Sequence, residues 1–212
     1  MYETGRGMPR DDAEALKWYR KSAEQGNPGG EASYGWMRLN GRGGPRDDAA
    51  AAKWLLAAAE QGHMRAATTL GSMYQDGHGV PKDEVAATNW FRKAAERGEP
   101  LAQNSLGVAY ALGRGVPEDG AEAVKWYRKA AERGVVLAQF NLGLAYGAGR
   151  IVPQDKVEAY VWYTLAVAGG HPRAASILSG LAAKMSRPDI ADAERRAEEW
   201  TVGSRQQPVR HA

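Results

Sequence analysis

Tryptophan recurs at positions 18, 54, 90, 126 and 162, each 36 residues after the last. The same step carries Pro9, Pro45, Pro81, Pro117 and Pro153, and with them Asp11, Asp47, Asp83, Asp119 and Asp155. It also carries Ala15, Ala51, Ala87, Ala123 and Ala159, and the glycines Gly26, Gly62, Gly98, Gly134 and Gly170. Five ladders in register, without an insertion, restrict the chain to folds made by stacking one unit. A fixed period of about 20 to 50 residues is the sequence mark of a solenoid. The clearest copy runs from Leu106 to Gly134. Leu106, Ala109 and Tyr110 give a first helix an apolar stripe that stops at Gly113. Gly115 and Pro117 interrupt the pattern, and Asp119 opens a second periodic run of Ala123, Trp126, Tyr127 and Ala130. Each unit therefore reads as helix A, a turn and helix B.

The turn chemistry repeats as well. Gly41, Gly77, Gly113 and Gly149 stand where helix A ends, suited to a left-handed cap, and the following Pro cannot continue a helix. Asp then caps helix B. A Glu three residues on (Asp11/Glu14, Asp119/Glu122, Asp155/Glu158) predicts reciprocal capping boxes. Gly71, Gly107 and Gly143 lie inside helix A, where Gly costs ~1 kcal/mol against Ala. That cost predicts a close approach by the Ala-rich face of helix B. The tryptophans are expected to form the core.

These residues resemble the Sel-1-like repeat, a relative of the tetratricopeptide repeat. The shared unit is A-x(3)-LG-x(2)-Y-x(2)-G-x-G-V-P-x-D-x(3)-A-x(2)-W-x(2)-KAAE-x-G, and the resemblance covers about residues 1–185. Tyr34 replaces the helix-A Leu, Arg38 its Tyr, Ile151 the second turn Gly, and Leu165 the Lys after the last tryptophan. The resemblance implies an all-α fold, a right-handed α/α superhelix of eleven helices that serves mainly as a scaffold for protein partners. The expected organisation is a partial repeat at 1–26 and four full repeats at 27–62, 63–98, 99–134 and 135–170. A helix pair at 171–202 caps the array, and a polar tail at 203–212 is expected to be disordered. Asn27-Pro28-Gly29-Gly30 predicts a short helix A in the first full repeat. In the last pair, Ile190, Ala193, Ala197 and Trp200 form the inner stripe. Tyr2 is in register with Tyr74, Tyr110 and Tyr146, so the chain starts inside a helix A and further repeats are expected before it.

Composition narrows the function classes. A net charge of +3 is too weak to imply nucleic acid, although the isoelectric point is 9.1. No apolar run approaches the ~18 residues of a membrane span. Without cysteine there is no thiolate metal site, Cys nucleophile or disulfide. The Ala-, Arg- and Gly-rich composition points to a bacterium with GC-rich DNA and leaves cytoplasm or periplasm open. The carboxylates are periodic, which suits capping rather than acid–base chemistry. His63 and His171 occupy one position three repeats apart, and His78 sits in a turn, so no metal or cofactor is expected. No G-x-S-x-G or phosphate-loop ending is present.

Two candidate surfaces remain. Arg6, Arg42, Arg114 and Arg150, with His78 in the third slot, predict a row of turn cations for an acidic partner or phosphate backbone. On helix A, the side opposite the core stripe falls at Asn104, Val108 and Ala111, and in the other copies at Ala32, Trp36, Leu39; Thr68, Ser72, Gln75; and Phe140, Leu144, Gly147. Trp36, Leu39, Val108, Phe140 and Leu144 are thus apolar where the core does not need it. They are the predicted partner-binding residues of a concave groove for a protein or peptide. The alternatives are an enzyme or binding protein for a cell-wall or small-molecule substrate, and nucleic-acid binding along the arginine edge.

Overall fold

The computed structural model describes residues 11–206, and side chains as far as Thr201. The described residues form eleven α-helices and no strand. They are α1 (Asp12–Glu24), α2 (Pro28–Asn40), α3 (Asp48–Glu60), α4 (Met64–Asp76), α5 (Glu84–Glu96), α6 (Pro100–Leu112), α7 (Gly120–Glu132), α8 (Val136–Ala148), α9 (Lys156–Ala168), α10 (Ala174–Ala182) and α11 (Arg187–Gln206). The even helices from α2 to α8 are the A helices, and the odd helices from α1 to α9 are the B helices. Contacts divide the chain into two compact units, Met1–Ala102 with Arg114–Val116, and Gln103–Gly113 with Pro117–Ala212. In the first, α1 to α5 pack each on the next. In the second, α7 packs on α8 and α8 on α9, while α10 and α11 both pack on α9.

The register of each helix pair is set by a helix-B side chain lying on a helix-A glycine, a ring in three pairs. A Cβ built on Gly71 of α4 would stand 2.6 Å from Phe91 Cε1 of α5 and 3.1 Å from the Ala87 carbonyl. On Gly107 it would meet Tyr127 Cδ1 at 2.6 Å, and on Gly143 Tyr163 Cδ1 at 2.6 Å. Leu55 fills the same place over Gly35, with its Cγ at 2.9 Å. The side chain following each ladder tryptophan is therefore the core key. Phe91, Tyr127 and Tyr163 are 2%, 5% and 3% exposed. The helix-B alanine ladder lies beside them, with Ala51, Ala123 and Ala159 fully buried. The expected approach of helix B is thus present, but an aromatic ring occupies most of the space.

The tryptophans are not a uniform core. Trp18 is 52% exposed, Trp126 8% and Trp162 0%. Lysines three residues on cover the rings of Trp18, Trp90 and Trp126, with Nζ 4.8, 4.7 and 4.1 Å from the centroids. Trp162 is covered instead by Arg128, 5.5 Å away, and by Trp200 at 5.3 Å. There the lysine is replaced by Leu165, which packs among buried apolar residues. A lysine would bring a charge into that closed cluster.

All five ladder aspartates cap helix B. Asp11, Asp47, Asp83, Asp119 and Asp155 accept from the N–H three residues on at 2.9–3.0 Å. In the boxes at Asp119 and Asp155 the reciprocal half is not made. The amides of Asp47, Asp83, Asp119 and Asp155 donate to helix-A carbonyls of Arg38, Tyr74, Tyr110 and Tyr146. The glutamates are thereby released to the tryptophans: Trp126 Nε1 donates to Glu122 at 3.0 Å and Trp162 Nε1 to Glu158 at 2.9 Å.

Two other departures from the repeat pattern have local causes. Arg38, in the tyrosine position, donates to the capping carboxylate of Asp47 at 2.8 Å. The Ala50 N–H and this Arg38 bond together hold the Asp47 carboxyl below its usual range. The second turn glycine is needed because the chain passes over the start of the preceding helix B. A Cβ on Gly79 would lie 2.2 Å from the Asp48 carbonyl, and on Gly115 2.1 Å from that of Glu84. Where Ile151 replaces this glycine, the residue beneath is Gly120, whose added Cβ would lie 1.7 Å from the Ile151 carbonyl. The glycine has changed sides of the contact.

Helix α2 is as long as its counterparts, contrary to the short helix expected. Asn27 caps it through the Gly30 N–H at 2.9 Å and Pro28 takes the first turn, where no amide partner is needed. At the other end, α11 continues past Gly203 to Gln206. The tail expected from Gly203 is therefore partly helical; its residues 207–212 and the N-terminal residues 1–10 lie outside the described residues. Ala193 and Ala197 are buried with Tyr160 and Val161, with Ile190 and Trp200 beside them, as the inner stripe of α11 requires.

Two outcomes test this packing. Gly71→Ala should destabilise by ~1–3 kcal/mol through overpacking against Phe91. Gly180→Ala, with nothing near its Cβ site, should leave the denaturation midpoint unchanged or raised. Burial also pushes the Tyr163 phenol up to about 12, and that of Tyr127 further up. Both hold their proton in the native state while an unfolded tyrosine ionises near ~10. This contribution to stability is complete below about pH 10 and is lost as pH rises through the native value. Melting temperatures should accordingly fall in that alkaline window, and less so for Tyr127→Phe.

Candidate functional site

The first unit carries a cleft of about 470 Å³ on the side of its A helices. Ala32, Ser33 and Trp36 of α2 line it, with Ala66, Thr68 and Thr69 of α4 and Leu101 at the start of α6. Trp36 and Leu101 are 41% and 55% exposed, large apolar side chains left in water. Trp36 is also held in place. Arg42 lies over its ring with Cζ 5.1 Å from the centroid. The guanidinium is fixed in turn by the Asp12 carboxylate through contacts of 2.7 and 3.1 Å. An aromatic side chain held this way loses little rotamer freedom when it binds.

The polar rim of the cleft is His63, Arg65 and Glu99. His63 caps α4, its Nδ1 accepting from the Ala66 N–H at 3.2 Å. In the neutral ring the proton then sits on Nε2, a donor. Thr68 and Thr69 spend their hydroxyl protons on helix carbonyls at 3.0 Å each. The cleft thus offers an aromatic wall, an aliphatic wall and a few polar groups at its edge. Among the described residues no group of three or more His, Asp or Glu could hold a metal, and no helix is long and apolar enough to cross a membrane.

The predicted binding residues separate. Trp36 lines the cleft. Leu39 is half-buried, and Val108 is half-buried against the Tyr127 cluster. Leu144 is 39% exposed. Phe140 is the correction: it is 4% exposed and belongs to the core. His171 stacks on its ring at 3.8 Å, Tyr163 lies at 5.8 Å, and Arg173 approaches to 5.9 Å. The helical-face argument ignored the chain that follows α9, which folds back over this position. The arginine row also fails as a set of like cations. Arg42 is committed to Asp12 and Trp36, Arg114 is half-buried, Arg150 is exposed, and Arg6 lies outside the described residues. Leu101 was not singled out from the sequence. It stands at the first turn of α6, a full turn before the positions compared between repeats.

The elements and their repetition define an α/α repeat protein. The chain belongs to the Sel1 repeat family: the Sel1 repeat model matches residues 1–27, 30–63, 65–99, 100–135 and 136–171. It is similar to the crystal structure of a Sel1 repeat protein from Oxalobacter formigenes, with 34% identity over 97% of this chain and 84% of that one, at a TM-score of 0.80. It is also similar to c5321, a protective antigen of uropathogenic Escherichia coli displaying an SLR fold. That match has 32% identity and a TM-score of 0.87; it covers all of this chain and 47% of the antigen, so the chain spans about half its length. The immunity protein Pa5087 from Pseudomonas aeruginosa shares the fold, at 19% identity and a TM-score of 0.55 over 93% of this chain and 76% of that one. No curated protein matches the chain. Sel1 repeat proteins are generally protein-interaction scaffolds and are typically not enzymes.

The placements predict opposite behaviour for the two aromatic residues. Phe140→Ala should cost ~3–5 kcal/mol in denaturant titration, as buried Phe truncations do. Trp36→Ala, at an exposed site, should cost less than ~1 kcal/mol.

Proposed function

We propose that the chain is a non-catalytic scaffold that holds a protein or peptide segment in the cleft between Trp36 and Leu101. The observation that carries this reading is Trp36 itself. It is a large aromatic residue exposed beside a cleft, with its ring held by an arginine that Asp12 anchors. Exposed aromatic anchors concentrate binding energy, and a fixed one does so at low entropic cost. The partner this suits inserts an apolar side chain between the walls and meets Arg65, Glu99 and the His63 donor with its polar flanks. The half-buried Leu39 and Val108 support their own helices more than they offer contacts, while Leu144 remains an accessible contact of the second unit.

Affinity capture from a bacterial lysate with parallel variants tests the proposal. A partner retained by the unaltered chain and by Trp18→Ala should be lost with Trp36→Ala, which is expected to weaken binding by ~2 kcal/mol or more. Retention should persist as salt is raised. Equal retention by Trp36→Ala would move the site off the cleft. Release of nucleic acid or an acidic protein by moderate salt would favour the cationic edge instead.

A further inference from the structure

The A helices run into their turns through different dipeptides: Asn40–Gly41 after α2, Asp76–Gly77 after α4, Leu112–Gly113 after α6 and Ala148–Gly149 after α8. The first is the one Asn–Gly pair in the chain. In such a pair the main-chain nitrogen lies one ring closure away from the side-chain carboxamide, and glycine has no Cβ to obstruct its approach. Asn40 and Gly41 are both exposed. Asn40 Nδ2 donates to the Trp36 carbonyl at 2.7 Å. The Gly41 N–H is shared between the carbonyls of Met37 and Arg38, and its contact with Arg38 is 3.5 Å, beyond the ordinary range of about 2.7–3.2 Å. At the same place after α4, the Gly77 N–H makes an ordinary bond of 2.9 Å to the Met73 carbonyl. The end of α2 is therefore the looser of the two, and fraying by its last residue frees the Gly41 nitrogen.

We propose that Asn40 is a self-modification site, a carboxamide that the native chain converts to an aspartyl or isoaspartyl residue with water as the only reagent. The Gly41 amide gives its proton to hydroxide and attacks Asn40 Cγ. The N–Cγ bond forms, the Cγ–Nδ2 bond breaks, and ammonia leaves with a proton taken from water. Water then opens the resulting five-membered succinimide. Attack at Cγ leaves aspartate at position 40, and attack at the main-chain carbon leaves isoaspartate, in which the chain runs through Cβ and Cγ. One water is consumed and one ammonia released, with nothing oxidised or reduced. Either product removes the N–H that Asn40 gives to the Trp36 carbonyl and puts a carboxylate at the negative end of α2. Isoaspartate also lengthens the backbone by one carbon just before Arg42. That displaces the Arg42 N–H from the Met37 carbonyl, where it bonds at 3.0 Å, and the guanidinium from the Trp36 ring. The conversion does not depend on the scaffold reading, since it needs no partner.

The test uses the full chain carrying Asp76→Asn, an exposed substitution that gives α4 the same Asn–Gly ending. The protein is held in mildly alkaline buffer, and both positions are followed by peptide mapping for the mass gain of one unit as NH2 becomes OH. Isoaspartate is counted by methyl transfer from S-adenosylmethionine with an isoaspartyl methyltransferase. In the native chain position 40 should convert about tenfold or more faster than position 76, while in denaturant the two should convert at similar rates. Asn40→Gln, which would have to close a six-membered ring, should show no gain at position 40 over the same period. The converted chain should melt below the unaltered one, with Asn40→Asp, which carries the charge without the longer backbone, between them. Equal native rates at the two positions, or conversion at position 40 in denaturant alone, would overturn the proposal. A converted chain that melts with the unaltered one would overturn the loosening of the α2 end.

Discussion

The fold depends on one contact, a helix-B side chain laid on a helix-A glycine. Gly71 under Phe91, Gly107 under Tyr127 and Gly143 under Tyr163 bring the ring within 2.6 Å of where a Cβ would stand. No larger residue fits without moving one helix away from the other. The contact therefore fixes the spacing and rotation of each pair, and it explains why helix A tolerates a residue that weakens it. Around this key the alanines of both helices close to nearly zero exposure. The energy of the pair is buried ring area, and its precision comes from the missing methyl.

The capping network follows from the same geometry. Because the helix-A end lies against the start of helix B, its carbonyls take the amide of the capping aspartate, and the glutamate of the first turn is free to hold the indole of the ladder tryptophan. Each ladder tryptophan is buried as far as its neighbours reach. Lys21 leaves Trp18 half in water, while Arg128 and Trp200 enclose Trp162. The outward sides of the A helices carry no such duty. That freedom is why Trp36, Thr68 and Leu101 can differ in chemistry while the ladders stay fixed, and it is where a scaffold can specify a partner.

Much of this was legible in the sequence, because a repeat reports the same constraint several times. The period gave the helix count, the Gly–Pro–Asp turn gave the caps, and α11 showed its inner stripe of Ile190, Ala193, Ala197 and Trp200. Pattern alone did not separate the buried Trp126 and Trp162 from the exposed Trp18, since a ladder marks what is repeated and not how deeply it is buried. The side chain that matters most, one residue later, varies between Leu55, Phe91, Tyr127 and Tyr163 and forms no ladder of identity. The site was half visible. Trp36 stood out as an apolar residue without a core role, whereas Phe140 looked the same until the fold brought His171 onto it. Leu101 reaches the cleft through contacts between helices, which no single helix face displays. The exchange of glycine between positions 151 and 120 was hidden for the same reason.

A double-mutant cycle on Gly71 and Phe91 tests the central claim most directly. The stabilities of the unaltered chain, Gly71→Ala, Phe91→Ala and the double variant would be measured by denaturant titration. If the ring is what the glycine accommodates, most of the cost of Gly71→Ala disappears once the ring is gone, with a coupling energy of ~1–3 kcal/mol. Equal costs in the two backgrounds, within ~0.5 kcal/mol, would show that the ring and the glycine act independently and would contradict the account.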